Sequence, residues 1–294
     1  MQESEEERSL GGFREQLSLV FYRMRQSKLS MVGLGIVAFV IFMAIFAPFI
    51  SPYPGDAGTA VHFAQRFQPP SLAHLFGTDD DGRDILTRVI FGSRIALELG
   101  LLVIGLAIGI GTPLGILAGV IGGKFEVVIM RVADIFLSFP PLALAMVVAA
   151  ILGAGVTHSI IGITLVWWPW YTRIAHGETI SIREQQFVEA SKLIGAGRFR
   201  IAFRDILPNL TTPIIVKGSL DMGFAILVGA ALSFFGLGAK PPTPDWGTMM
   251  SIALTYMPNY WWMLTFPGLF VFLTVLGLNL FGDGLRDMLD VRLQ

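Results

Sequence analysis

Asp221 is the carboxylate set deepest in an apolar run of this sequence, with Lys217 four residues before it. An ionisable side chain in such a place either handles protons and ions or belongs to a structural pair, because opposite charges four residues apart are neighbours on a helix. Both readings stand for Asp221, as part of a translocation path or as the partner of Lys217. Glu98 and Asp134 lie nearer the ends of their runs, with Arg94 four residues before the first and Arg131 three before the second. Each is expected to pair with that arginine. A proton- or ion-coupled transporter would need Asp221 or Glu98 to titrate during its cycle.

Other residue patterns exclude more than they suggest. The chain has no cysteine, and His62, His74, His158 and His176 are scattered without zinc spacing, so neither thiolate chemistry nor a structural zinc site is expected. "GTDDDGRD" at 77–84 is acidic, but its consecutive aspartates do not fit the alternating ligands of a calcium loop. It reads better as a helix start with Thr78 or Asp79 as cap. "GVIGGKF" at 119–125 lacks the glycine spacing and the Ser or Thr after lysine of a phosphate loop. No catalytic constellation, metal site or cofactor site is therefore expected, and no ATP site in this chain.

The elements that carry these residues are membrane helices. The chain is 53% hydrophobic and 15% charged, against about 25% charged in ordinary soluble domains. Six windows are apolar over the roughly 20 residues that cross a bilayer: Ser30–Ile50, Leu97–Ile121, Ala133–Leu152, Val156–Trp170, Ile214–Phe235 and Met263–Phe281. The first is too long for a signal-peptide core and is read as a retained span. Lys and Arg number fifteen in the N-terminal, second, fourth and C-terminal hydrophilic segments and five in the alternate ones, with Lys217 completing the 21. That asymmetry places both termini in the cytoplasm. Trp167, Trp168, Trp170, Trp261 and Trp262 read as interfacial anchors or as packing residues. Gly105, Gly109, Gly111, Gly115 and Gly119 form small-xxx-small pairs, a device for close helix approach within the chain or with a partner. Pro113 and the Pro140–Pro141 pair are expected to kink their helices. The acidic start, followed by Arg14, Arg23 and Arg25, reads as a solvated tail and not as a nucleic-acid arm.

Between the fourth and fifth windows, "FVEASKLIGAGRFRIAFRDILP" at 187–208 carries six charges in an otherwise oily chain. "IREQQFVEASKLI" reads as a helix, with Phe187, Ala190, Ser191 and Ile194 on one stripe, ended by Gly195 and Gly197. Such a helix either lies on lipid headgroups or fits a groove on a soluble partner.

Glu189-Ala190-Ser191, Gly195, Leu207 and Pro208 resemble the EAA loop of ATP-binding-cassette importer permeases. Ser191 stands where that motif usually has alanine, and Asp205 where isoleucine is common. "HLFGTDDDGRDILTRVIFGSR" at 74–94, "FFGLGAKPPTPDWGTMMS" at 234–251 and "FPGLFVFLTVLGLNLFGDGLRD" at 266–287 are similar to the dipeptide, oligopeptide and nickel permease family, in its C-type subunit, from Ser27 onward. The resemblance implies an all-α polytopic membrane protein of the type I ABC importer permease fold, with six transmembrane helices in the cell membrane and cytoplasmic termini. It implies a cytoplasmic tail at 1–29, a transmembrane domain at 30–294, external loops at 51–93 and 236–262, and a cytoplasmic coupling loop at 172–212. Implied partners are a second, B-type permease, two ATPase subunits that bind ATP and Mg, an external binding protein and membrane lipid. Glu184, Phe187, Glu189, Ala190, Ser191 and Gly195 are the implied ATPase-coupling residues. The implied substrate is a dipeptide or oligopeptide; nickel, glutathione and oligosaccharides are the alternatives.

Overall fold

The structure, a computed structural model, describes residues 27–289. Most of the expected tail, including Arg14, Arg23 and Arg25, lies outside them. The described chain is all-helical: α1 Lys28–Ile50, α2 Ile85–Ile121, α3 Gly123–Leu137, α4 Pro141–Leu152, α5 Val156–Ile182, α6 Gln186–Leu193, α7 Arg198–Phe234, α8 Trp246–Leu254 and α9 Trp262–Leu289. Four of these, α1, α2, α7 and α9, are long and apolar enough to cross a membrane, and the α3–α4 pair makes a fifth if counted as one broken span.

Two of the six windows fold otherwise than their hydropathy alone suggests. Ala133–Leu152 is not one straight span: α3 and α4 meet at 90°. Pro140 and Pro141 lack the amide hydrogens that would continue α3, and proline pushes the residue before it out of helical geometry. The fourth window does not stop at Trp170 but continues to Ile182. It is not apolar enough to count as a span by composition, yet Ser159, Thr164, Thr172 and Thr179 are buried in the bundle. A helix screened from lipid by its neighbours tolerates such residues. Trp167 and Trp168 are buried with them and Trp262 is buried too, so these are packing residues; Trp170 and Trp261 remain exposed.

The centre of the bundle is the contact of α2 with α5. A Cβ on Gly111 would lie 2.3 Å from the Trp168 carbonyl oxygen, one on Gly115 2.3 Å from that of Thr172, and one on Gly119 2.5 Å from the Thr179 methyl. Both sets of residues rise together, so the helices run parallel, with backbones touching where no side chain fits. α7 packs antiparallel to α2, with Gly100 against Ile226 and Gly218 against Ile108; α9 packs antiparallel to α7, and α1 to α9 through Gly33, Gly277 and Gly284. Gly105 and Gly109 have open space around them, so the glycine pattern divides into a used seam and an unused face.

These directions define two ends. At one, here the cap, residues 51–84 and 235–261 fold together. At the other lie the loop 183–200, Ser30 against Gly284, and thus both described ends of the chain. α2 has 37 residues, about 55 Å at 1.5 Å per residue, so it extends beyond a hydrocarbon core of roughly 30 Å. Its first turns belong to the cap. Asp84 caps it, accepting from the Thr87 amide at 2.7 Å, in place of the expected Thr78 or Asp79.

Inserting side chains at the two kinds of glycine should have opposite results. Gly115→Val forces apart two backbones, costing about 1–3 kcal/mol or more, and should lower the thermal unfolding midpoint of the detergent-purified protein. Gly105→Ala meets nothing within 4 Å and should leave that midpoint unchanged or slightly raised.

Candidate functional site

At the loop end, α5 closes on Arg183, whose Nη1 donates to the Gly119 carbonyl at 2.8 Å and so satisfies an orphan acceptor at the end of α2. Three residues later, at Gln186, α6 begins. Only Val188 of this helix is fully buried, joining Ile201, Ala202, Ile206 and Leu210 in the main core. After Leu193 the chain turns through Gly195 at φ +79°. The Ala196 amide bonds the Ser191 carbonyl and the Gly195 amide that of Lys192, both at 3.0 Å. This is the Schellman closure expected of a glycine in left-handed geometry. α7 then begins at Arg198 and contains a wide π turn at Ile201–Ile206.

The stripe expected from sequence does not pack onto the bundle. Phe187 is 42% exposed, Leu193 88% and Ile194 77%; Glu184, Glu189 and Ala190 are also exposed, and Ser191 is half-buried. Phe199 and Phe203 continue this exposed apolar set, flanked by exposed Arg198, Arg200 and Arg204. No ion pair to Glu184 or Glu189 occurs among the described residues. The loop end therefore presents a rigid ledge, pinned from behind by one valine, whose outward side mixes large apolar groups with charges of both signs. Val188 was missed in the sequence because a buried valine between Phe187 and Glu189 breaks the stripe that periodicity favoured.

Inside the bundle, Asp221 is buried and both its carboxylate oxygens are engaged: Lys217 Nζ lies 2.5 Å from Oδ1, and the Tyr171 hydroxyl donates to Oδ2 at 3.0 Å. The pair with Lys217 is as expected; Tyr171, from α5, was not. The other two expected pairs are replaced. Asp134 meets Arg173 at 2.7 Å instead of Arg131, and Glu126 meets His176 at 2.7 Å, so a salt bridge and a hydrogen-bond contact hold α3 against α5. Arg94 turns from Glu98 to the carbonyls of Ala44 (2.5 Å) and Ile45 (3.1 Å) in α1. Pro48 has no amide hydrogen for Ala44, so that carbonyl needs another donor.

At the cap, the two loops read separately from sequence form one body. Arg88 donates to the Pro242 carbonyl at 3.3 Å, Trp246 Nε1 to Val89 at 2.9 Å, and Trp262 Nε1 to Thr78 at 3.2 Å. Phe76 stacks on Phe266 and Phe67 on Tyr260. "GTDDDGRD" becomes an ionic knot: Arg83 bridges Asp79 and Asp81 at 2.8 Å each, Arg88 Nε lies 3.4 Å from Asp79, and buried His74 pairs with Asp84 at 3.0 Å. Among the described residues, Asp80 has no ion-pair partner of its own. Burial and the neighbouring Asp79 and Asp81 charges raise its pKa above the usual carboxylate range.

Comparison with known proteins places this arrangement. Residues 111–294 match the model described as "binding-protein-dependent transport system inner membrane component", and residues 15–70 match that of the "N-terminal TM domain of oligopeptide transport permease C". The chain belongs to this family of inner membrane transport components. It is 43% identical over 281 residues to the dipeptide transport system permease protein DppC of Escherichia coli K12, covering 93% of this chain and 92% of that one. It is 41% identical to the probable D,D-dipeptide transport system permease protein DdpC of the same strain, covering 92% and 89%, and 42% identical to the DppC of Alkalihalophilus pseudofirmus, covering 93% and 89%. It is thus an ABC permease of the dipeptide, oligopeptide and nickel group and a multi-pass membrane protein, similar throughout to components of transporters.

The Asp221 cluster yields a test of its own. Lys217→Met leaves a carboxylate in the bundle without its cation and should destabilise the protein by about 1–3 kcal/mol, less than for a fully buried pair because the Lys217 side chain is 37% exposed. Asp221→Asn, which keeps an acceptor for Tyr171, should cost less. Thermal unfolding of the two purified variants gives the order; the reverse order would show that the Asp221 side chain does not depend on Lys217.

Proposed function

We propose that this chain is the C-type permease subunit of an ATP-driven importer and that the ledge at Glu184–Gly195 is where ATPase motion enters it. With a related B-type permease it encloses the translocation path; two cytoplasmic ATPase subunits, binding ATP and Mg, provide energy; and an external binding protein delivers substrate. In this reading the loop end is cytoplasmic and the cap external. The described ends of the chain then face the cytoplasm, and α1, α2, the α3–α4 pair, α5, α7 and α9 make six crossings in the cell membrane.

The single observation that carries the reading is the construction of α6. A helix of eight residues is marginal on its own. Here it is fixed by a Schellman turn, by Val188 in the core and by Arg183 bonded to the end of α2, while Phe187, Glu189, Ala190 and Leu193 stay exposed. Such a helix transmits displacement, because pushing it moves α2 and α5 with it. Glu189 would make polar contact with the ATPase groove, Ala190 and Ser191 permit close approach, and Phe187, being outward, serves as apolar anchor. Gly195 sets the angle at which the helix leaves. An ion-coupled cycle is less well supported, since Asp221 already has two partners and Glu98 is an exposed side chain of α2.

Dipeptides are the substrate favoured by the names of the relatives, with longer peptides next. Transport by the assembled complex should fail in Glu189→Lys while membrane insertion and assembly of the permease pair persist. ATP-dependent uptake into proteoliposomes measures the first and co-purification the second. Undiminished uptake would remove the coupling role from α6.

A further inference from the structure

The cap has one edge unlike the rest. Its centre is ionic, and its exposed Phe63 lies beside the Arg66 guanidinium. From Gln68 to Gly77, "QPPSLAHLFG", the only ionisable side chain is His74, which turns inward onto Asp84. The tip of this segment presents Leu72, 98% exposed, and Leu75, 55% exposed. It is held in shape: the Ser71 amide bonds the His74 carbonyl at 2.8 Å, the His74 amide bonds Ser71 Oγ at 3.2 Å, and the Gly77 amide returns to the His74 carbonyl at 2.9 Å. A leucine pair on a rigid uncharged turn is a surface with one chemical preference.

Its location says what meets that preference. α1 is peripheral, and its outer side is a band of exposed apolar residues, with Phe42, Ile45, Phe46 and Phe49 toward the cap. The helix has 23 residues, about 35 Å, enough to bring Ile50 to the edge of a hydrocarbon core of roughly 30 Å. Three residues on, Tyr53 sits at the level where tyrosine marks membrane interfaces. Its hydroxyl donates to the Ala73 carbonyl at 2.9 Å, and its ring lies 4.8 Å from that of His74. The leucine turn is therefore bonded to the point where α1 leaves the bilayer, and the lipid-facing band of α1 continues into it.

We propose that Leu72 and Leu75 insert into the lipid interface on the cap side, giving the cap a second attachment to the bilayer beside α1. Lipid is favoured over a protein partner by this continuity with the α1 band and by the lack of charge along the turn. The proposal needs only that α1 crosses the membrane, so it stands or falls apart from the coupling role of α6.

The absence of cysteine makes the test direct. Leu72→Cys and Leu75→Cys, each carrying a nitroxide, are compared with a label on exposed Lys240→Cys in the assembled transporter in phosphatidylethanolamine–phosphatidylglycerol nanodiscs, the partner subunits being free of reactive thiols. Leu72 is so exposed that its replacement removes no core contact. Collision with oxygen relative to a water-soluble nickel chelate should be several-fold higher at 72 and 75 than at 240, with or without binding protein. Water-like values at both sites overturn the proposal. So does screening from both reagents, and if that appears only on adding binding protein, the turn is a protein-docking edge.

Discussion

Everything in this bundle is referred to one contact, the parallel approach of α2 and α5 across Gly111, Gly115 and Gly119. In a membrane, lipid chains are as apolar as leucine, so helices gain little from mere burial and must instead fit closely. Three glycines let two carbonyls and a threonine methyl of α5 approach the backbone of α2 to a distance no side chain permits. Because the two helices are parallel, they carry displacement in the same sense. α2 begins in the ionic knot of the cap, and α5 ends at the loop that leads into α6. The seam is thus the shortest mechanical link between the two ends of the molecule.

Polar groups are distributed to protect that link. Lys217, Asp221 and Tyr171 tie α7 to α5; Arg173 with Asp134 and His176 with Glu126 tie the broken α3–α4 element to the same helix. α5 is the partner in each case. This explains why it is less apolar than its neighbours and yet the most enclosed: surrounded by other helices, it carries groups that lipid would reject.

The presence and apolar character of α1, α2, α7 and α9, and the end of α6 at Gly195, were legible in the sequence because they rest on local composition and on a backbone angle glycine favours; the extra turns that begin α2 and α7 were not, because they are not apolar. So was the Lys217–Asp221 pair, set by helical spacing. What escaped was decided by neighbours. Arg131 and Arg173 are equally plausible partners for Asp134 until α3 is known to break at Pro140 and lie against α5. The inward residue of α6 is Val188 because the chain enters from Arg183 at an angle that periodicity does not record. The union of the two cap segments depends on Trp246 and Trp262 reaching carbonyls more than 150 residues away, a relation no local pattern contains.

The bond from Arg94 to the Ala44 and Ile45 carbonyls makes α1 depend on α2 for its own backbone. Proline at 48 leaves the helix with an unmet acceptor, and the donor lies some fifty residues downstream. Where lipid offers no hydrogen-bond donor, α1 keeps a fully bonded backbone only while the start of α2 lies against it.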